Sequence, residues 1–162
     1  MLSILLSFLT GAVFTLLTVG LVKMVTLYKF HRQVLQEVNS EVSFIHSMVD
    51  KKVNGSEGEY MEDFELMLPD GAYKKIVGSG LNVYLRKNAM KTLNNVYSGV
   101  SILNDVFESN EQFDIHKVYS LVNELAKHSL KASKATEFEL EKGVYSSFAN
   151  FVRFHVKMVG IK

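Results

Sequence analysis

Hydrophobic and polar positions fall into distinct regimes along the chain. From Leu2 to Val22 runs LSILLSFLTGAVFTLLTVGLV, 21 residues without a charge. At about 1.5 Å rise per residue, a helix of that length covers the roughly 30 Å hydrocarbon layer of a bilayer. Its Ser, Thr and Gly positions are compatible with such a helix, since hydroxyls can bond back to carbonyls of the preceding turn. A cleaved leader would want a basic start, a shorter apolar core and a small-x-small site; none of these is present, so the run predicts a retained anchor.

The pattern then changes to an amphipathic helix. Tyr28, Leu35, Val42 and Val49 recur every seven residues, and His31, Val38 and Ile45 fall three after the first three of them. Val34 and Met48 widen the stripe. No Gly or Pro interrupts it before Asn54-Gly55, so the apolar run and this stripe can form one continuous rod to about Val53. The stripe Leu35, Val38, Val42, Ile45 and Val49 is a candidate interaction surface. It serves either a short parallel coiled coil between copies or the first helix of an intramolecular bundle.

Residues 54–72 hold Glu57, Glu59, Glu62, Asp63, Glu65 and Asp70 and no basic residue. The spacing of Tyr60, Met61, Phe64, Met67 and Leu68 predicts a short acidic amphipathic helix, closed by the Pro69-Asp70-Gly71 turn. Gly78-Ser79-Gly80 is a break without the G-x-x-x-x-G-K-[ST] pattern of a phosphate loop. Leu85, Ala89, Leu93, Val96, Val100, Leu103 and Phe107 then step by three or four, predicting one helix from Leu81 to Glu108. Asp114 is an N-cap for a helix through Lys131. Thr136-Glu137-Phe138-Glu139 reads as a capping box opening a last helix to Val159, with Tyr145, Phe148 and Phe151 on its apolar side.

The expected fold is therefore all-α: one N-terminal transmembrane helix followed by a helical bundle. The expected organisation is an anchor over 1–25, a juxtamembrane amphipathic helix over 26–53 and a bundle domain over 54–162 packing with it. A single proline in 162 residues suits that picture.

Charge sets the orientation. Lys23, Lys29 and Arg32 follow the apolar run, and no basic side chain precedes it. Positive flanks stay on the cytoplasmic side, so the N-terminus is expected outside and residues 24–162 in the cytoplasm. Overall charge nearly cancels, 18 Lys+Arg against 17 Asp+Glu, which speaks against a nucleic-acid binder. With no cysteine there is no disulfide framework, thiolate metal site or cysteine nucleophile.

Candidate chemistry is sparse. No two of the five histidines stand at i, i+3 or i, i+4, and neither a nucleophile-elbow nor a kinase signature occurs. His46 with Asp50 and Glu124 with His128 are carboxylate–imidazole pairs on single helical turns. No catalytic, cofactor or metal residues are assigned, and the chain is read as non-enzymatic. It is expected to be a membrane-tethered interaction module, a scaffold, accessory subunit or regulator. Membrane lipid and partner proteins are its expected contacts, and self-association remains open. The alternatives are a membrane-anchored enzyme or sensor with a pocket of scattered residues such as His116, Glu124 and His128, or a phage-type factor acting on the envelope itself.

Overall fold

A computed structural model describes residues 2–53, 67–109 and 114–160. These form five α-helices: α1 (Leu2–Val53), α2 (Gly71–Gly78), α3 (Lys87–Glu108), α4 (Ile115–Glu141) and α5 (Phe148–Gly160). Short 3-10 turns at Leu81–Val83 and Val144–Ser146 join the pieces, and no strand occurs among the described residues. The fold is all-α, with one long apolar N-terminal helix and a bundle built on its second half.

The rod is continuous. Gly11 and Gly20 do not interrupt α1, and the hydroxyls of Thr10, Thr15, Thr18 and Thr26 donate to carbonyls three or four residues back. One helix among the described residues is long and apolar enough to cross a membrane, and none of its apolar window is buried. Past Val22 the same helix changes character. Tyr28, His31, Val34, Leu35, Val38, Val42, Ile45 and Val49 are buried, with Met24, Leu27 and Met48 packed at the edges.

Cross-helix bonds fix the directions. Glu41 accepts from the Ala72 amide and Glu37 from Lys75 Nζ, so α2 runs back along α1 towards its apolar half. Tyr97 of α3 donates to Glu41, and Asn104 further along reaches Leu68. α4 returns: Ser129 meets His46, Ser133 meets Ser43 and Thr136 meets Asn39. α4 forms the most extensive packing against α1, followed by that of α3 against α4.

Several local expectations change. The expected helix Leu81–Glu108 starts only at Lys87. Gly80 adopts a left-handed conformation with φ of 71°, and Arg86 is extended at φ −61°, ψ 145°. This turn lets Leu81 and Leu85 both enter the core while Tyr84 reaches the rings of α5. The Thr136 capping box does not form, because α4 continues to Glu141. Thr136 is fully buried; its hydroxyl bonds Asn39 and its own helix's carbonyls rather than a free amide. The true start of the last helix is Ser147, whose Oγ accepts from the Asn150 amide.

The acidic helix expected over 54–72 lies mostly outside the described residues. Within them, Met67–Asp70 is non-helical. Leu68 there is buried and held by Asn104, whose side chain accepts from its amide and donates to its carbonyl, both at 3.0 Å. Asp114 does cap α4, accepting from the His116 amide, but that helix runs ten residues past Lys131.

Candidate functional site

The stripe residues come first. Leu35, Val38, Val42 and Ile45 are 0% exposed and Val49 1%. In this conformation they are covered by the chain's own helices. The charged flank splits: Lys23 and Lys29 are exposed, whereas Arg32 folds back and donates from Nη1 to the Tyr28 hydroxyl at 2.9 Å.

Around the first turns of the buried half of α1 the chain gathers an aromatic and imidazole cluster. Tyr28 packs on Phe148 and Phe151, each with ring centroids at 5.6 Å. His31 lies one turn further on, between Tyr84 at 5.3 Å and Tyr145 at 6.2 Å. Tyr84 stacks on Phe151 and on His155, and its hydroxyl is 2.8 Å from His155 Nδ1. Tyr145 and Phe151 are 0% exposed.

His31 is 1% exposed. Its Nδ1 is 3.3 Å from the Tyr145 hydroxyl, and its Nε2 has no hydrogen-bond partner among the described residues. Burial lowers its pKa from the ordinary imidazole value. A neutral ring accepting from Tyr145 at Nδ1 carries its proton on Nε2. The Tyr145 and Tyr84 phenols are pushed up, chiefly by burial. The cluster can hold neutral donors and acceptors in fixed geometry; His31, Tyr145 and Phe151 are closed off from solvent, whereas Tyr84, Phe148 and His155 are partly exposed.

Beside it sits a buried carboxylate. Glu139, 1% exposed, takes Arg86 Nε at 3.3 Å and the Val144 amide at 3.4 Å. The Arg86 guanidinium also lies 4.4 Å above the Phe138 ring. These contacts clasp the turn before α3 to the turn after α4. A second polar knot ties α1, α2 and α3. Tyr97 donates to Glu41 at 2.7 Å and stacks on Tyr73 at 4.4 Å, and burial together with the Glu41 carboxylate raises its pKa strongly.

Surface grooves among the described residues include two between helices. One, of 590 Å³, runs between α1 and α2 past Gln36, Ser40, Glu41 and Lys75. The other, of 280 Å³, lies between α3 and α4 and is lined by Asn95, Ser98, Gly99, Ile102, Leu121, Glu124, Leu125 and His128. The structure thus brings Glu124 and His128 to one groove. His116, eight residues before Glu124 on α4, is not among its lining residues. His46 is drawn away to Ser129. No group of three or more His, Asp or Glu able to hold a metal ion occurs among the described residues.

Sequence reasoning missed Glu139, Tyr84 and Tyr97 as structural polar centres. Glu139 was within reach: Val122, Leu125, Ser129, Ala132, Thr136 and Glu139 step by three and four without a break. No family model, curated protein or solved structure matches the chain.

Proposed function

We propose that the chain is a single-pass membrane protein that tethers a helical interaction module to the bilayer. It serves as a scaffold, accessory subunit or regulator of a larger assembly, with its N-terminus outside and its bundle in the cytoplasm. One observation carries this reading: a single uninterrupted helix is uncovered and apolar over its first half, and is the central core element of the bundle over its second. An apolar surface of that size is unsuited to water. The basic residues Lys23 and Lys29 that follow it favour this orientation.

Membrane fractionation tests the tether. Tagged full-length protein should stay in the pellet through an alkaline carbonate wash, and a reporter fused after Lys162 should work only if it matures in the cytoplasm. Release by carbonate would overturn the anchor. Activity of an export-dependent reporter would overturn the orientation. For the interaction role, a photo-crosslinking residue at Ile102, half-exposed in the α3–α4 groove, should give discrete adducts in intact cells. The absence of any adduct at this and other exposed bundle positions would remove that role.

A further inference from the structure

A sequence with almost balanced charge is sorted by its topology. α2 and α4 both run back towards the apolar half of α1. The turn between α2 and α3, the turn after α4, and α5 therefore assemble around Tyr28–Arg32. Exposed cations collect there: Lys23, Lys29, Lys87, Lys142, Arg153 and Lys157. Among the carboxylates of the same end, Glu139 is buried against Arg86, and Glu137 and Glu141 lie exposed on the last turn of α4. At the opposite end the charges are mixed, Asp50, Asp105, Glu108 and Asp114 standing with Lys51, Lys52 and Lys117.

α5 itself, FANFVRFHVKMVG, has no acidic residue. It touches Tyr28 through Phe148 and Phe151, then passes on to Tyr84 through Phe154 and His155. Among the described residues its ring contacts to α1 fall on the turn Tyr28–His31. Ala149, Val152 and Val156 form a flank at i, i+3, i+7, with Val156 62% exposed, and Arg153 and Lys157 lie beside them. Tyr28 is six residues past Val22, about 9 Å along the helix. That height lies just beyond the headgroup layer, which adds roughly 5–8 Å to each side of the hydrocarbon, and a helix of about 5 Å radius packed beside Tyr28 reaches back into it.

We propose that this end of the bundle rests on the membrane surface, with the Ala149–Val156 flank of α5 in the interfacial layer and Arg153 and Lys157 on anionic lipid headgroups. The inference rests on the membrane reading above. Apolar flank, neighbouring cations and placement beside an emerging apolar helix are the features of an interfacial helix. Each cation near an anionic surface shifts the apposed-to-free ratio about fivefold.

The chain has no cysteine, so single spin labels can be placed without background. Full-length protein is reconstituted in vesicles that are neutral or contain about 30 mol% anionic lipid. Labels are carried on Leu17→Cys, Val156→Cys or Ile102→Cys, and oxygen accessibility is compared with that of a water-soluble nickel complex. In anionic vesicles the Val156→Cys label should be severalfold more oxygen-accessible relative to nickel than the Ile102→Cys label. Arg153→Gln together with Lys157→Gln should lower its apposed fraction, the ratio falling about 25-fold. If Leu17→Cys reports lipid but Val156→Cys is as wet as Ile102→Cys, this inference fails and the tether stands. A wet Leu17→Cys would sink both. Equal burial of the Val156→Cys label in neutral vesicles, unaffected by the two Gln substitutions, would overturn the headgroup contact. Spin–spin broadening between Val156→Cys labels would mean that a second copy covers the flank, which also overturns it.

Discussion

Val42→Asp asks whether the buried stripe of α1 is held by its own chain or by another. Val42 is 0% exposed and lies beside Asn39 and Ser43, which bond Thr136 and Ser133 of α4. Removing the buried valine forfeits about 1.5–3 kcal/mol of apolar burial. The new carboxylate would be buried in the apolar core and must take a proton to remain inside. Keeping an Asp of ordinary pKa protonated at neutral pH costs about 4 kcal/mol. The total, roughly 5–7 kcal/mol, is comparable to the whole stability of an ordinary domain. In detergent, the variant should lose the helix signal and cooperative melt of the bundle while the apolar half of α1 stays helical. Because the protonation cost vanishes near the carboxyl's own pKa, part of the structure should return at about pH 4. Phe44→Asp, at a position 48% exposed two residues on, should change stability by no more than about 0.5 kcal/mol. Circular dichroism with light-scattering mass measurement reads all three. A Val42→Asp protein that melts within a few degrees of the parent and only loses mass would refute the reasoning and make the stripe an intermolecular seam.

Gly143→Ala should destabilise by about 2–4 kcal/mol, because the added Cβ would stand 2.6 Å from Glu139 Cα, a backbone atom that cannot step aside. A thermal melt lowered by less than about 3 °C would show that the turn relaxes instead. Arg86→Gln leaves the Glu139 carboxylate buried without its cation and should cost about 1–3 kcal/mol, the exposed guanidinium keeping this below the cost at a fully buried pair. Adding Glu139→Gln should recover part of the loss, and additive effects in this cycle would disprove the clasp. His31 supplies a pH dependence. Its lowered folded pKa means the unfolded chain binds the proton more tightly, so its stabilisation is complete above about pH 6.5 and falls as pH drops below that towards the folded value. In His31→Gln that slope should disappear from denaturant midpoints; an unchanged slope would assign it to other groups.

The apolar half of α1, the stripe from Tyr28 to Val49, the break at Gly78-Ser79-Gly80 and the Asp114 cap were all legible, because each rests on spacing within a few residues. What escaped rests on partners distant in sequence. Thr136 looks like a helix start until Asn39, 97 residues away, occupies its hydroxyl. Leu68 fits a helix face by its spacing, yet its main chain is satisfied by the Asn104 side-chain amide, 36 residues on. Tyr84 continued a helical pattern with Leu81 and Leu85, but stacking against His155 and Phe151 favours a turn there. The excess of cations over carboxylates at the α5 end was invisible for the same reason, since it follows from helix directions and not from composition.

The polar contacts between α1 and α4 explain how a plain apolar stripe comes to have one register. As α1 advances from Asn39 through Ser43 to His46, its partners on α4 recede from Thr136 through Ser133 to Ser129. Each such bond contributes only about 0.5–1.5 kcal/mol net, so the bulk of the stabilisation comes from Leu35, Val38, Val42 and Ile45. Those four discriminate poorly. A slide of one heptad would keep apolar rows against apolar rows. It would also set Ser43 opposite Ala126 and His46 opposite Val122, leaving polar atoms at the edge of the core without partners. Leaving such a group unsatisfied costs about 1–3 kcal/mol, more than the bond itself contributes. The same cost applies if α1 leaves α4 for a second α1, since Asn39, Ser43 and His46 would exchange partners placed for them on α4. The three pairs therefore act less as a source of stability than as a selection of the intramolecular, antiparallel arrangement over its competitors.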